Sequence, residues 1–168
     1  MKSSLIKGIA ALVDLVLGIS SLVFIVQNQM VPSSACVLIA ALCHWFGAKA
    51  AKETGAGSDT VSELMSSLIV FGAAPAVAAW KLSLADAGVI GYLLLIAFTC
   101  CSSIRLSRPA PQRLSGSFYT GIPVTLAGAF VALDDLVVLR YGAHTLFSAV
   151  FMFLLSYLMV SSADVEKN

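Results

Sequence analysis

Long stretches of this chain carry no charge, and their length limits the folds open to it. An α-helix needs about 20 mostly apolar residues to cross a bilayer. Segments close to that length recur along the whole sequence, at 5–27, 33–51, 60–81, 84–104, 118–139 and 144–161. Only 11% of the 168 residues are charged and 59% are hydrophobic, whereas a soluble domain carries roughly 25% charged residues. So few charges cannot cover a water-soluble surface, so the surplus apolar surface has to face lipid. The expected fold is an all-α polytopic membrane protein with about six helices, forming a single transmembrane domain over 1–168. The net charge of +1 and the lack of a basic patch interleaved with aromatics predict no nucleic-acid partner.

Polar punctuation sets the expected boundaries. Gln27-Asn28-Gln29 and Pro32 read as the first turn, and Glu53-Thr54-Gly55-Ala56-Gly57-Ser58-Asp59 as the second. Asp59 is a candidate N-cap, with Glu63 one turn further on. A basic, Pro-rich loop holds Arg105, Arg108, Pro109, Pro111 and Arg113. The run from Ile9 to Val26 is longer than a signal-peptide core and no good cleavage site follows it, so it is read as a membrane helix. Cys36, Cys43, Cys100 and Cys101 lie in apolar stretches without metal-finger spacing and read as small buried hydrophobes. Six spans put Lys2, Lys7, Lys49, Lys52, Arg105, Arg108, Arg113 and Lys167 on one side, and Lys81 and Arg140 on the other. That bias predicts cytoplasmic N- and C-termini.

An ionisable group at membrane depth costs about 2.5–3.5 kcal/mol by insertion scales, so each one needs a reason. The candidates are Asp14, His44, Glu63 and the pair Asp134-Asp135. Asp14 is either a polar residue hydrogen-bonded inside the bundle or part of a site. Asp134 and Asp135 are expected at a solvated helix end near Arg140, and His144 at the interface. Asp59, Glu63 and Ser67 recur every four residues and share a helix face, as do Cys43, Gly47 and Ala51. Antiparallel packing of the second and third helices would let these faces meet.

Three separated stretches make the chain resemble the CDP-alcohol phosphotransferases, and within them the small bacterial phosphatidylserine synthases. The first runs from Leu38-Ile39-Ala40-Ala41-Leu42 through Gly47, Ser58-Asp59 and Glu63-Leu64 to Phe71-Gly72-Ala73-Ala74-Pro75-Ala76. The second is Ile104-Arg105-Leu106-Ser107-Arg108, followed by Phe118-Tyr119-Thr120-Gly121-Ile122-Pro123. The third is Leu154-Leu155-Ser156-Tyr157-Leu158-Met159-Val160-Ser161. Their order and spacing match the synthases along nearly the whole chain. The family's motif is D-x2-D-G-x2-A-R-x8-G-x3-D-x3-D. Its carboxylates hold divalent metal ions, Mg2+ or Mn2+, on the CDP pyrophosphate, and its last Asp is regarded as the general base.

On this sequence the first Asp falls on Cys43, the second on Phe46 and the following Gly on Gly47. The Ala-Arg pair falls on Ala50-Ala51; the loop is then one residue short, so that the second Gly falls on Asp59, the third Asp on Glu63 and the fourth on Ser67. Phe cannot ligate a metal, a lone thiol is too soft for Mg2+, and Ser67 is no base without an activating neighbour. A softer ion such as zinc on Cys43, His44 and Glu63 is disfavoured, because adjacent helical residues point about 100° apart. The expectation is a relative without catalysis by the family mechanism and without its metal, with Glu63 as the one remaining carboxylate ligand.

Gly47, Asp59, Arg105 and Arg108 are the candidates for substrate or phosphate binding, with positive-charge anchoring as the other reading of the arginines. The resemblance implies a membrane lipid partner, CDP-diacylglycerol or an anionic phospholipid, together with a homodimer, a role beside an active synthase and a bacterial inner or cytoplasmic membrane. Two alternatives stand beside it. One is an active phospholipid-synthesis transferase with a divergent site built from Asp14, Asp59, Glu63 and the arginines. The other is a small transporter with Asp14, His44 and Glu63 along a polar path.

Overall fold

The computed structural model describes residues 2–53, 61–107, 118–142 and 144–164. Among them are six helical rods: α1 (Lys2–Val26), α2 (Met30–Glu53), α3 (Val61–Ala87), α4 (Val89–Ser107), α5 (Val124–Tyr141) and α6 (Thr145–Val160). The fold is all-α apart from one short antiparallel pairing of β1 (Phe118–Thr120) with β2 (Ser162–Asp164). This pairing ties the chain entering α5 to the chain leaving α6. The first four rods are long and apolar enough to cross a membrane, so the protein is a multi-pass membrane protein. α6, at 16 residues, is shorter than that length, and α5 carries Asp134, Asp135 and Arg140 within its 18 residues.

Local chemistry explains where the rods begin and end. After α1, Asn28 takes a left-handed conformation (φ 60°). Gln29 N–H then bonds back to Phe24 O and Asn28 N–H to Ile25 O. These two bonds are those of a Schellman close, in which Asn stands in for the usual Gly. α2 starts at Met30, earlier than the sequence suggested, because Pro32 sits in its first turn, where no N–H is needed. Inside the rods, Ser83, Thr99, Ser102 and Ser156 each donate their hydroxyl to the carbonyl four residues earlier. A hydroxyl in an apolar medium has few other acceptors.

α3 is the central rod. Over half of its apolar window is buried (56%), against 22–28% for the other three long rods. It begins α-helical, widens to a π-helix over Leu68–Ala73, tightens over Ala74–Ala79, widens again over Trp80–Leu84 and closes on a 3-10 turn. Pro75 has no N–H for the carbonyl of Phe71, and the wide turn ends just before it, with Ala74 N–H bonded to Ile69 O. α3 therefore runs six residues beyond the expected end at 81, and α4 begins at Val89 after the Gly88 turn rather than at 84. α5 begins at Val124, after Pro123, because the residues from 118 are extended.

The core gathers on α3, with Phe71, Val70 and Leu84 packed against Phe98 of α4, Val131 of α5 and Met152 of α6. Large apolar side chains elsewhere point outward, as lipid requires, among them Leu12, Val16, Leu93 and Phe153. The cysteines depart from expectation. None of the four is fully buried: Cys43 and Cys100 are exposed on the apolar exterior, and Cys36 and Cys101 are half-buried and free.

Candidate functional site

α1 and α2 pack as an antiparallel pair about the Asn28 turn, and their seam carries three small or polar rungs. A Cβ placed on Gly47 would lie 3.6 Å from Ala10 Cβ. His44 Nδ1 donates to Asp14 Oδ2 at 2.9 Å. Ser21 and Ser33 share a hydroxyl–hydroxyl bond, also 2.9 Å. Asp14 is 3% exposed, so the imidazole supplies the partner that a carboxylate at this depth requires. The other ring nitrogen, Nε2, is left open. The His44 ring also meets the edge of Phe71 on α3, with centroids 5.6 Å apart and planes at 74°. Three helices converge on this one side chain.

Gly18 brings the third helix in. A Cβ there would stand 3.1 Å from Val70 Cβ and 3.2 Å from Val70 Cα, so α1 lies almost directly on the α3 backbone. The stretch Val61–Ser67, with Glu63 and Ser67, accordingly runs along α1. α2 meets α3 one turn later, from the π-helical segment onward. The expected meeting of the Cys43–Gly47 face with the Glu63–Ser67 face is therefore replaced by two seams on α1.

The positions singled out in the sequence have different fates. Gly47 faces α1. Cys43 is exposed, and Phe46 is 61% exposed and packs edge-on against Trp45 at 5.1 Å, on the outside of α2. Ser67 is buried, and Glu63 is half-buried and engaged through its surroundings, its carbonyl accepting from Ser66 Oγ at 3.1 Å. Arg105 is buried near the end of α4 and also makes an interaction. Asp59 and Arg108 lie outside the described residues. Among the described residues, no three His, Cys, Asp or Glu side chains converge as a metal site.

Asp134 and Asp135 contradict their expected place at a solvated helix end. They are 8% and 1% exposed. The Asp135 carboxylate faces the packed side of α5 while Arg140 is exposed, because only one side of that helix meets the rest of the bundle. No sequence expectation pairs Asp14 with His44, and the signal that could have done so is distance from the turn. In an antiparallel pair, residues equidistant from the turn lie level, and these two stand fourteen before and sixteen after Asn28.

The chain is similar to a CDP-diacylglycerol–serine O-phosphatidyltransferase of Bacillus subtilis. The two are 32% identical over 119 residues, which is 70% of this chain and 64% of that protein. The chain thus matches a little under two thirds of that relative's length. No protein-family model matches the chain, and no solved structure does.

Proposed function

We propose that this chain is a phosphatidylserine-synthase-like membrane protein of the CDP-alcohol phosphotransferase family that no longer transfers a phosphatidyl group by the family's metal-dependent route. Its remaining role is to bind a phospholipid or to pair with an active synthase. The 119-residue similarity supports the kinship. The donor chemistry at the motif positions supports the loss of the metal route. A hard divalent ion wants several converging oxygens. Of the four positions, Cys43 offers a thiol turned outward, Phe46 offers nothing, and Ser67 offers a buried neutral hydroxyl. Glu63 is the only carboxylate. These residues do not fit Mg2+ or Mn2+.

The orientation proposed is the one the lysine and arginine bias gives, with both termini cytoplasmic. The basic end near Arg105 would then face the anionic headgroups of the inner leaflet. A homodimer through membrane helices is part of the same proposal.

One observation favours a second reading. An imidazole held by a buried carboxylate, with its far nitrogen open, is a general-base arrangement. A divergent transferase could use Asp14 and His44 in place of the missing aspartates. Purified protein given CDP-diacylglycerol, radiolabelled serine and Mn2+ separates the two. The first reading expects no phosphatidylserine above background, and a thermal shift with CDP-diacylglycerol in the absence of metal. Product abolished by Glu63→Ala would restore the family mechanism and sink the first reading. Product abolished by His44→Ala but not by Glu63→Ala would establish the second.

A further inference from the structure

A chain of contacts crosses all six rods at one level and gives a common plane from which their ends can be measured. His44 of α2 meets Asp14 of α1 at 2.9 Å and the Phe71 ring of α3 with centroids 5.6 Å apart. A Cβ on Gly128 of α5 would stand 2.5 Å from the Phe71 oxygen, and one on Gly72 of α3 would stand 3.2 Å from Ser102 Cβ of α4. The Ser102 hydroxyl reaches Met159 Sδ of α6 at 3.7 Å. Toward the Asn28 and Gly142 turns, the rods extend alike from this plane. The helical rise puts Val26, Met30, Val89, Tyr141 and Thr145 all about 18–21 Å from it. At the opposite end they do not match. α1, α2 and α3 continue for about 14–18 Å, to Lys2, Glu53 and Val61, whereas α5 stops after about 6 Å at Val124 and α6 after about 2 Å at Val160.

We propose that the leaflet at this end is drawn inward beside α5 and α6, so that phospholipid headgroups, not acyl chains, cover the β1–β2 ribbon. The hydrocarbon core of a bilayer is about 30 Å thick. With one boundary at the two turns, a flat opposite boundary would lie about 10 Å past the plane. α2 and α3 fill that depth, and their exposed Trp45, Phe46 and Met65 offer acyl chains an apolar surface. α6, at 16 residues, spans only about 24 Å.

Extended backbone occupies the depth that α5 and α6 leave. Gly121–Pro123 carry no helix. Phe118–Thr120 pairs with Ser162–Asp164, and among the described residues no third strand joins them. Each strand therefore keeps an edge of N–H and C=O groups without a ladder partner, which acyl chains cannot satisfy. The bond from Ile122 N–H to Leu158 O closes the corner between α5 and α6 but not these edges. An apolar span shorter than the core thins the bilayer beside it, and the headgroups that follow, with their water, supply the missing partners. Tyr157 marks the new boundary: it is 65% exposed at the end of the apolar face of α6, where an interfacial aromatic belongs.

Depth-dependent fluorescence quenching in phosphatidylcholine–phosphatidylglycerol liposomes tests this, and no readout depends on phosphatidyl transfer. A bimane is attached to Ser161→Cys or, for reference, to Phe46→Cys, with the native cysteines replaced by serine. Both positions stand about 3 Å past the plane, so a flat leaflet makes them equally deep. The expected result is a ratio of quenching by headgroup-nitroxide lipid to quenching by mid-chain-nitroxide lipid at least about twofold higher for Ser161→Cys. Equal ratios overturn the proposal. So does a bimane on Ser161→Cys that neither lipid quenches, which would mean that protein covers the ribbon. The wild type gives a measurement that needs no variant to fold. Hydroxyl radicals generated in the aqueous phase should oxidise Tyr157 and spare Trp45, although Trp45 is the more reactive side chain and is 61% exposed. Equal oxidation of the two, or an unmodified Tyr157, overturns the proposal as well.

Discussion

Replacing Gly128 with alanine tests the seam that positions both buried acids. The new Cβ would stand 2.5 Å from the Phe71 oxygen, 2.8 Å from its Cα and 2.9 Å from its Cβ. Two of these neighbours are backbone, so no rotamer change relieves the contact. Close C···O approaches begin near ~3.3 Å, so the α3–α5 seam must open by roughly 0.8 Å. Overpacking of this kind costs about 1–3 kcal/mol. The better helix propensity of alanine returns up to ~1 kcal/mol. The net expectation is a loss of about 1–2 kcal/mol, or roughly 5- to 30-fold in the folded-to-unfolded ratio. Gly8→Ala is the control, because nothing lies within 4 Å of a Cβ there, and it should keep or gain stability. The assay is reversible unfolding in mixed detergent micelles, with the His44 ring signals followed by NMR, since Phe71 is shared by Gly128 and His44. Equal stability of the two variants, with unmoved His44 signals, would refute the close approach.

Three other expectations follow from single contacts. A double-mutant cycle on Asp14→Ala and His44→Ala should show a coupling of about 0.6–1.7 kcal/mol, the range for side-chain bonds between membrane helices; strict additivity would mean the pair is not formed. Lys81→Met removes the ammonium that caps the carbonyl end of α1 at Ile25 and should cost about 1–2 kcal/mol in the same unfolding assay. Asn28→Val forces a branched side chain into the left-handed turn and should cost about 1–2 kcal/mol, while Asn28→Gly stays near neutral.

Composition and punctuation carried most of the fold. Apolar runs near bilayer length can only be helices or a barrel in lipid, and the polar break at Asn28 falls between α1 and α2, while the breaks expected at 54–60 and 108–117 lie outside the described residues. Boundaries shifted where a proline or a wide turn had two uses. Pro32 reads as a stop from sequence but is harmless in a first turn, and Pro75 sits inside α3 because a π-helical turn absorbs its missing N–H. The site was legible as residues but not as contacts. Asp14 and His44 were both out of place in an apolar run, yet only the antiparallel level of α1 and α2 makes them partners.

The sequence by itself determined that this chain lives among lipids as a helical bundle, because charge content and segment length follow from composition alone. It also determined that Cys43, Phe46 and Ser67 carry no carboxylate, because ligand chemistry belongs to the residue. Which side of a helix faces its neighbours was decided only by tertiary packing. Two glycines, 18 and 128, let α1 and α5 lie on the backbone of α3. The approach of α5 puts Asp135 on the packed side of that helix. A few tenths of an ångström at a helix seam have no signature in a linear pattern.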